Sequence, residues 1–309
     1  MPDDSLVSLV RKIKNIIDEN GDANIPLIWT WDFLECCQNE GINITPSNFY
    51  SPIPIRSELD RHYEENRNRQ IYNHPSVFVD ELMGGYLKSL LPYKEELLET
   101  KEICGLEFED FKKNGMFSHS DAMAYYCFVR NSKPNNIIEI GSGYSSLIAK
   151  TASIKNDDES KIICYEPFPS DILKAQKDIN LITKRAQDIS AEELNEKLSD
   201  GDVLFIDSTH TVKEGSDVIH IVARLLPFID KKIFVHFHDI FLPYVFPKQN
   251  VDTMQFWEEQ YLLYAFLMHN SKTRVLYGST YNATNFPKDM DGFTITDRVG
   301  GGSIWFEYN

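Results

Sequence analysis

The chain has 309 residues, 42% of them apolar and 25% charged, which is ordinary for a folded soluble protein and enough to bury a substantial core. Acids outnumber Lys and Arg by 47 to 31, giving a net charge of −16. That negative field repels phosphate backbones and anionic lipid, so neither nucleic acid nor a charged membrane surface is expected as a partner.

Residues 1–114 and 115–309 read differently, and the first stretch is expected to be a helical cap on the second. It opens with Leu6, Leu9, Val10, Ile13, Ile16 and Ile17 at a 3.6 spacing, an amphipathic helix for which Gly21 is the expected stop. The proline-broken segment Asn48-Phe-Tyr-Ser-Pro-Ile-Pro-Ile55 is held extended or turn-like by its two X-Pro steps. A second helical region is expected over about 75–104. The most cationic stretch, Arg61 to Arg69, is interleaved with Glu64 and Glu65 and forms no basic patch. No apolar run approaches the roughly 20 residues that span a bilayer, and the acidic start carries no secretory pattern. A cytoplasmic location and no transmembrane segment are therefore expected. The five cysteines (Cys36, Cys37, Cys104, Cys127, Cys164) are odd in number and form no C-x-x-C pair, so they are read as buried free thiols.

From residue 120 short apolar runs alternate with helical stretches. Strands are expected at Asn136–Ile140, Lys161–Tyr165, Val203–Asp207, Lys232–His238 and Arg274–Tyr277, with helices near 144–154, 169–179, 191–198, 212–226 and 252–270. This rhythm predicts an α/β fold: a doubly wound, mostly parallel, Rossmann-like sheet with helices on both faces. The terminal run Gly300 to Tyr308 reads as a late strand, expected at an antiparallel edge. In such sheets a ligand sits at the carboxyl ends of the strands, where the strand order reverses.

The most informative segment is 137–145, Ile-Ile-Glu-Ile-Gly-Ser-Gly-Tyr-Ser. It reads as a buried strand ending in a glycine loop, where the absence of Cβ atoms at Gly141 and Gly143 lets a ligand approach the backbone. Glu139, near the strand end, is expected to grip a cationic or hydroxylated ligand. A dinucleotide loop would carry G-x-G-x-x-G with its acid about 20 residues later. Here the third glycine is missing and the acid comes first. Glu166 closes the next strand, 27 residues after Glu139, and is suited to accept ribose hydroxyls of a nucleoside. Gln187 and Asp188, in Arg185-Ala-Gln-Asp188, are candidates for hydrogen bonds to an adenine edge.

Two further strands end in acids and histidines: Asp207 leads into Ser208-Thr-His210, and His236-Phe-His238 leads into Asp239. Parallel neighbours would bring Asp207, His210, His238 and Asp239 into one pocket. A general base, a divalent metal site and a set of structural hydrogen bonds all fit that group. His236, two residues back from His238 on the same face, reads as a core histidine. A metallohydrolase would leave the glycine loop unexplained. The aromatics Phe246, Phe256, Trp257, Tyr261, Tyr264 and Phe266 read as a buried helix or subunit contact, and a homo-oligomer is one expectation.

With these residues in hand, the chain over about 45–309 resembles the class I S-adenosylmethionine-dependent methyltransferases of bacterial surface-glycan and natural-product clusters. The matching pieces are Ile138-Glu-Ile-Gly-Ser-Gly-Tyr-Ser-Ser146, Phe205-Ile-Asp-Ser-Thr-His210, His236-Phe-His-Asp-Ile-Phe-Leu-Pro-Tyr244, Glu258-Glu-Gln-Tyr-Leu-Leu263 and Phe49-Tyr-Ser-Pro-Ile-Pro54. The resemblance implies that Glu139, Gly141, Gly143 and Glu166 hold S-adenosylmethionine, with Ser142, Tyr144, Ser145, Pro167 and Ser208 around it and Asp207 at the methyl end. It also implies a divalent metal such as Mg on Asp207 and Asp239. His238 stands where some relatives have an acid, and would be the third ligand. The expected activity is O-methylation of a sugar or glycan hydroxyl, or of a related small molecule. His210 or His238 is the expected base and Asp207 the residue that orients it or holds the metal, with the helical front, including Tyr50, closing the acceptor pocket. The alternatives are an NAD(P)-dependent oxidoreductase on a similar sheet, or a non-catalytic cofactor-binding partner in glycan assembly. An aminopropyl transferase is less favoured, because no polyamine-type acidic signature is present.

Overall fold

The computed structural model describes residues 4–20, 26–157, 159–294 and 301–309. The chain divides into two compact units, residues 1–62 and 63–309. The second unit thus begins about fifty residues before the change of character expected at 114, and it includes the helices near 80–98.

In the first unit, helix α1 (Asp4–Glu19) follows the expected apolar spacing, and Ile17 is its buried residue. Its expected stop, Gly21, lies outside the described residues. Helix α2 (Trp31–Asn39) starts where the Thr30 hydroxyl accepts from the Phe33 N–H, an N-cap that satisfies one of the free donors of the first turn.

The second unit is built on a seven-stranded sheet: β1 (Asn136–Ile140), β2 (Lys161–Tyr165), β3 (Asn180–Ile182), β4 (Val203–Ile206), β5 (Ile233–Phe237), β6 (Thr273–Gly278) and β7 (Ile304–Tyr308). The spatial order is β3-β2-β1-β4-β5-β7-β6. The first five are mutually parallel, while β7 runs antiparallel to both β5 and β6. This is the expected α/β, mostly parallel sheet. One detail is corrected: β7 is not at the edge. Its residues are all but buried because it is slotted between β5 and β6, and β6 takes the edge instead.

Alternation along the strands feeds two cores. Ile138, Ile140, Leu204, Ile206, Val235 and Phe237 face one layer of helices, and Ile137, Val203 and Phe205 face the other. Each fully buried Ile, Leu or Phe contributes about 1.5–3 kcal/mol relative to exposure, so these faces carry the fold. The second face is covered by α3 (Asp80–Leu90), α4 (His119–Ser132) and α5 (Tyr144–Ser153). Helix α4 has no counterpart among the expected elements. Ten successive residues, Ser120 to Val129, are buried, so it has no polar face and leaves no helical period to read. Ser118 caps its start, and Lys133 ends it in a left-handed turn before Pro134.

The stretch expected as a helix over 169–179 is helical only at Asp171–Lys174, and β3 follows it. The expected helix over 252–270 is α6 (Glu259–Leu267), which packs Leu263 and Leu267 into the core. All five cysteines are free, as expected, but Cys36 is exposed and Cys104 half-buried.

Candidate active site

The strand order reverses between β1 and β4, so the crevice at their carboxyl ends is where an open α/β sheet admits a ligand. The glycine loop lies there. Gly141 has φ +81°, and a Cβ on it would fall 1.7 Å from the Asp207 carbonyl oxygen. Only glycine lets β1 turn this tightly under the end of β4. Beside Gly143 a Cβ would meet nothing within 4 Å, so that side of the loop is open. Gly143 is also the N-cap of α5, whose first N–H groups point into the crevice without a side-chain cap.

The structure puts Glu139 inside the protein. It lies on the sheet face covered by α4 and α5, wholly buried, and accepts from Tyr125 Oη at 2.9 Å, from Ser145 Oγ at 3.3 Å and from Ser146 Oγ. Burial raises its pKa to about 7 against those hydrogen bonds. The expectation that Glu139 grips a ligand directly is therefore replaced by an anchoring role, because strand alternation turns its side chain to the helices and not to the crevice. Ser145 belongs to this anchor, while Tyr144 packs its ring 5.9 Å from Phe111.

Glu166 does stand at the crevice, at the tip of β2. Its Oε2 accepts from the Ser142 N–H at 3.2 Å and its Oε1 from the Phe168 N–H at 2.8 Å, which spans Pro167 and ties the glycine loop to the neighbouring strand. Gln187 and Asp188 already have partners. Asp188 is exposed and accepts from Arg185 Nε at 2.9 Å and Nη2 at 3.1 Å, and Gln187 donates to the Gly215 carbonyl at 3.3 Å. The Ser208 hydroxyl is buried with no hydrogen-bond partner among the described residues.

Asp207, His210, His238 and Asp239 converge as expected. His210 Nε2 is 3.3 Å from Asp207 Oδ1 and 3.5 Å from Asp239 Oδ2. His238 Nδ1 is 3.5 Å from Asp207 Oδ1 and 3.6 Å from Asp239 Oδ2. Both loops are strained to reach this arrangement: His210 and Asp239 take φ of +60° and +55°. Such left-handed non-glycine residues cost about 1–3 kcal/mol each and gather at functional sites. One ligand atom from each of Asp207, His238 and Asp239 lies within 4.8 Å of the others, so the three could share a cation.

Two acids that the sequence reading did not single out complete the cluster. Asp121, at the start of α4, lies 3.4 Å from His238 Nε2 and accepts from Gly302 N–H at 3.0 Å and Ser303 Oγ at 2.7 Å. Glu259, at the start of α6, accepts from His210 Nδ1 at 2.7 Å. The cluster thus alternates acid and imidazole, Glu259–His210–Asp207/Asp239–His238–Asp121. Burial opposes the charges here; attraction outweighs it at Asp121, Asp207, His210 and His238, whereas at Glu259 burial prevails and raises the pKa. Burial would lower the His210 pKa, yet hydrogen bonds to Asp207 and Glu259 and their charges raise it to about 10. His238 is likewise raised well above the ordinary histidine value by Asp207 and Asp239. Against burial, the His238 charge and the close approach of both imidazoles hold Asp207 well below the usual carboxylate range. Without a cation the surrounding acids thus favour the protonated form of both imidazoles. His236 stays out of the cluster: it is fully buried, stacks 4.0 Å from Phe205 and meets Ser303 Oγ at 3.0 Å, as a core histidine would.

Residues 138–240 match the family model described as a methyltransferase domain. A protein of Archaeoglobus fulgidus, described as uncharacterized, is 36% identical over 197 residues, 59% of this chain and 80% of that one. Among solved structures, the chain aligns with the SAH-bound methyltransferase PaMTH1 of Podospora anserina at 17% identity and a TM-score of 0.39, covering 87% of this chain and 99% of that one. It also aligns with the plantazolicin methyltransferase BpumL, in complex with SAH and a pentazolic analog, at 11% identity and a TM-score of 0.40, covering 75% and 100%. The matched span runs from β1 to just past β5 and encloses the glycine loop, Glu166, Asp207, His210, His238 and Asp239. The methyltransferase-domain match thus covers a third of the chain, the part that holds the glycine loop and most of the acid–histidine cluster.

Proposed function

We propose that the protein is an S-adenosylmethionine-dependent methyltransferase acting on a hydroxyl of a sugar, glycan or related small molecule. One observation carries this reading: Asp207 serves two places at once. Its main-chain carbonyl roofs Gly141 in the nucleoside-type loop, and its side chain enters the acid–histidine cluster. A cofactor resting on the loop and an acceptor resting on the cluster would therefore meet across a single residue.

The residues fit the cofactor. The open side of Gly143, the uncapped start of α5 and the unpartnered Ser208 hydroxyl offer backbone and side-chain donors, and Glu166 is held ready to accept ribose hydroxyls. When bound, S-adenosylmethionine supplies an electrophilic methyl group on a sulfonium. The chain's own task is to align the acceptor oxygen with it and exclude water, an effect worth on the order of 7–11 kcal/mol in the best intramolecular cases.

A sugar hydroxyl needs its proton removed as it attacks. The set Asp207, His238 and Asp239 would hold a divalent cation such as Mg: one ligand atom from each lies within 4.8 Å of the others, and among the described residues both His238 ring nitrogens lack a hydrogen-bond partner. Such a cation would neutralise charge at the acceptor oxygen and lower the pKa of both neighbouring imidazoles. With His238 engaged as a ligand, the base is His210, whose Nε2 faces the same acids.

Calorimetry with S-adenosylhomocysteine tests the cofactor, and transfer of labelled methyl to a panel of glycans tests the acceptor class. Tight binding of a reduced nicotinamide dinucleotide with no binding of S-adenosylhomocysteine would overturn the reading in favour of an oxidoreductase.

A further inference from the structure

We infer that Glu259 is a positioning residue that fixes the His210 ring, so that Nδ1 is committed to the protein and only Nε2 faces the acceptor chemistry. Glu259 is buried, and its Oε2 lies 2.7 Å from His210 Nδ1. Its own N–H donates to the His210 carbonyl at 3.3 Å, so one residue grips both ends of the histidine. The Trp257 ring, 4.4 Å away, lies over the imidazole and limits its rotation. On the other side Nε2 points between Asp207 and Asp239. A carboxylate oxygen can only accept, so Nδ1 must carry its hydrogen, and the lone pair of the neutral ring falls on Nε2.

Next in the chain, Gln260 accepts from the Phe241 N–H at 3.1 Å and donates to the Tyr244 carbonyl at 3.3 Å. The first turn of α6 therefore holds the loop after β4 through Glu259 and the loop after β5 through Gln260. That registers His210 against Asp239. Among the described residues Glu259 Oε1 has no hydrogen-bond partner, so the carboxylate's side-chain hydrogen bond is the one to His210. The geometry stands without a cofactor, but its consequence for catalysis rests on the methyl-transfer reading above.

The experiment is nitrogen-15 NMR of the full-length, histidine-labelled protein, with His210 assigned by comparison with His210→Asn. The wild type is expected to show a slowly exchanging, strongly downfield proton on His210 Nδ1. Glu259→Ala should lose it, and Glu259→Gln, whose amide oxygen still accepts, should keep it. Binding of S-adenosylhomocysteine should be unchanged in both variants, and with an identified acceptor Glu259→Ala should lower kcat by about 10²-fold at constant KM for the methyl donor. A wild-type Nδ1 without a bound proton overturns the inference even if Glu259→Ala fails to fold. So does a folded Glu259→Ala that keeps the signal, or one that loses cofactor-product binding along with it. Failure of the wild type to bind S-adenosylhomocysteine counts against methyl transfer and leaves the ring assignment to the spectrum.

Discussion

Gly141 passes directly beneath the carbonyl of Asp207, with 1.7 Å between that oxygen and the place a Cβ would occupy. The contact is with backbone, which cannot move aside as a flexible side chain would. Gly141→Ala should therefore destabilise the protein by more than about 3 kcal/mol, from the left-handed φ and the clash together. Gly143→Ala, with open space around it, should leave the melting temperature nearly unchanged while weakening S-adenosylhomocysteine by about tenfold, the effect of one methyl group against a ligand. Equal stability loss in both variants, measured by thermal melts, would contradict this division of roles.

Glu139 should make the protein less stable as pH rises. Its pKa is raised by burial to about 7, above that of a carboxyl in the unfolded chain. Between the unfolded and folded values the native state binds the extra proton, so stability falls with pH across that window and the full cost is present above pH 7. The cost is at most about 3 kcal/mol. Chemical denaturation at pH 5 and pH 8 should show a smaller difference for Glu139→Gln than for the wild type.

Glu166 is held by two backbone N–H groups but keeps lone pairs toward the crevice. Glu166→Ala should cost about 1 kcal/mol of stability for the lost loop contacts. It should weaken S-adenosylhomocysteine by about 10²-fold if the carboxylate accepts from ribose, since hydrogen bonds to a charged group are worth about 1.5–3 kcal/mol. An affinity equal to wild type in calorimetry would remove Glu166 from the cofactor site.

The acid–histidine cluster should respond to divalent cations. Mn2+ or Mg2+ at about 100 times its dissociation constant should stabilise the wild type by about 2.7 kcal/mol. Asp239→Asn should abolish most of that response. Because His238 holds its proton strongly in the metal-free cluster, the response should weaken as pH falls and the proton competes. A wild-type melting temperature indifferent to both ions at pH 8 would argue against a cation at this position.

Much of the sheet was legible because its strands are short apolar runs closed by polar residues. Asn136–Ile140 and Lys161–Tyr165 match their expected bounds residue for residue. The convergence of Asp207 and His210 with His238 and Asp239 followed from β4 and β5 being parallel neighbours. Helix α4 escaped because a segment buried on every side has no period, and Asp121 was hidden within it. Glu259 lay inside a piece already recognised, Glu258 to Leu263, but nothing local separates it from Glu258. Only burial against His210 does.

The sequence by itself determined the strand ends, the glycine turn and the set of residue types offered there, because these depend on local periodicity and on where a Cβ is absent. Tertiary structure decided which way each side chain faces and what charge it bears. It turned Glu139 inward, moved β7 off the edge and surrounded two histidines with acids from helices far apart in the chain. Orientation and ionisation depend on neighbours that only folding brings within a few ångströms, where burial and Coulomb attraction compete on equal terms.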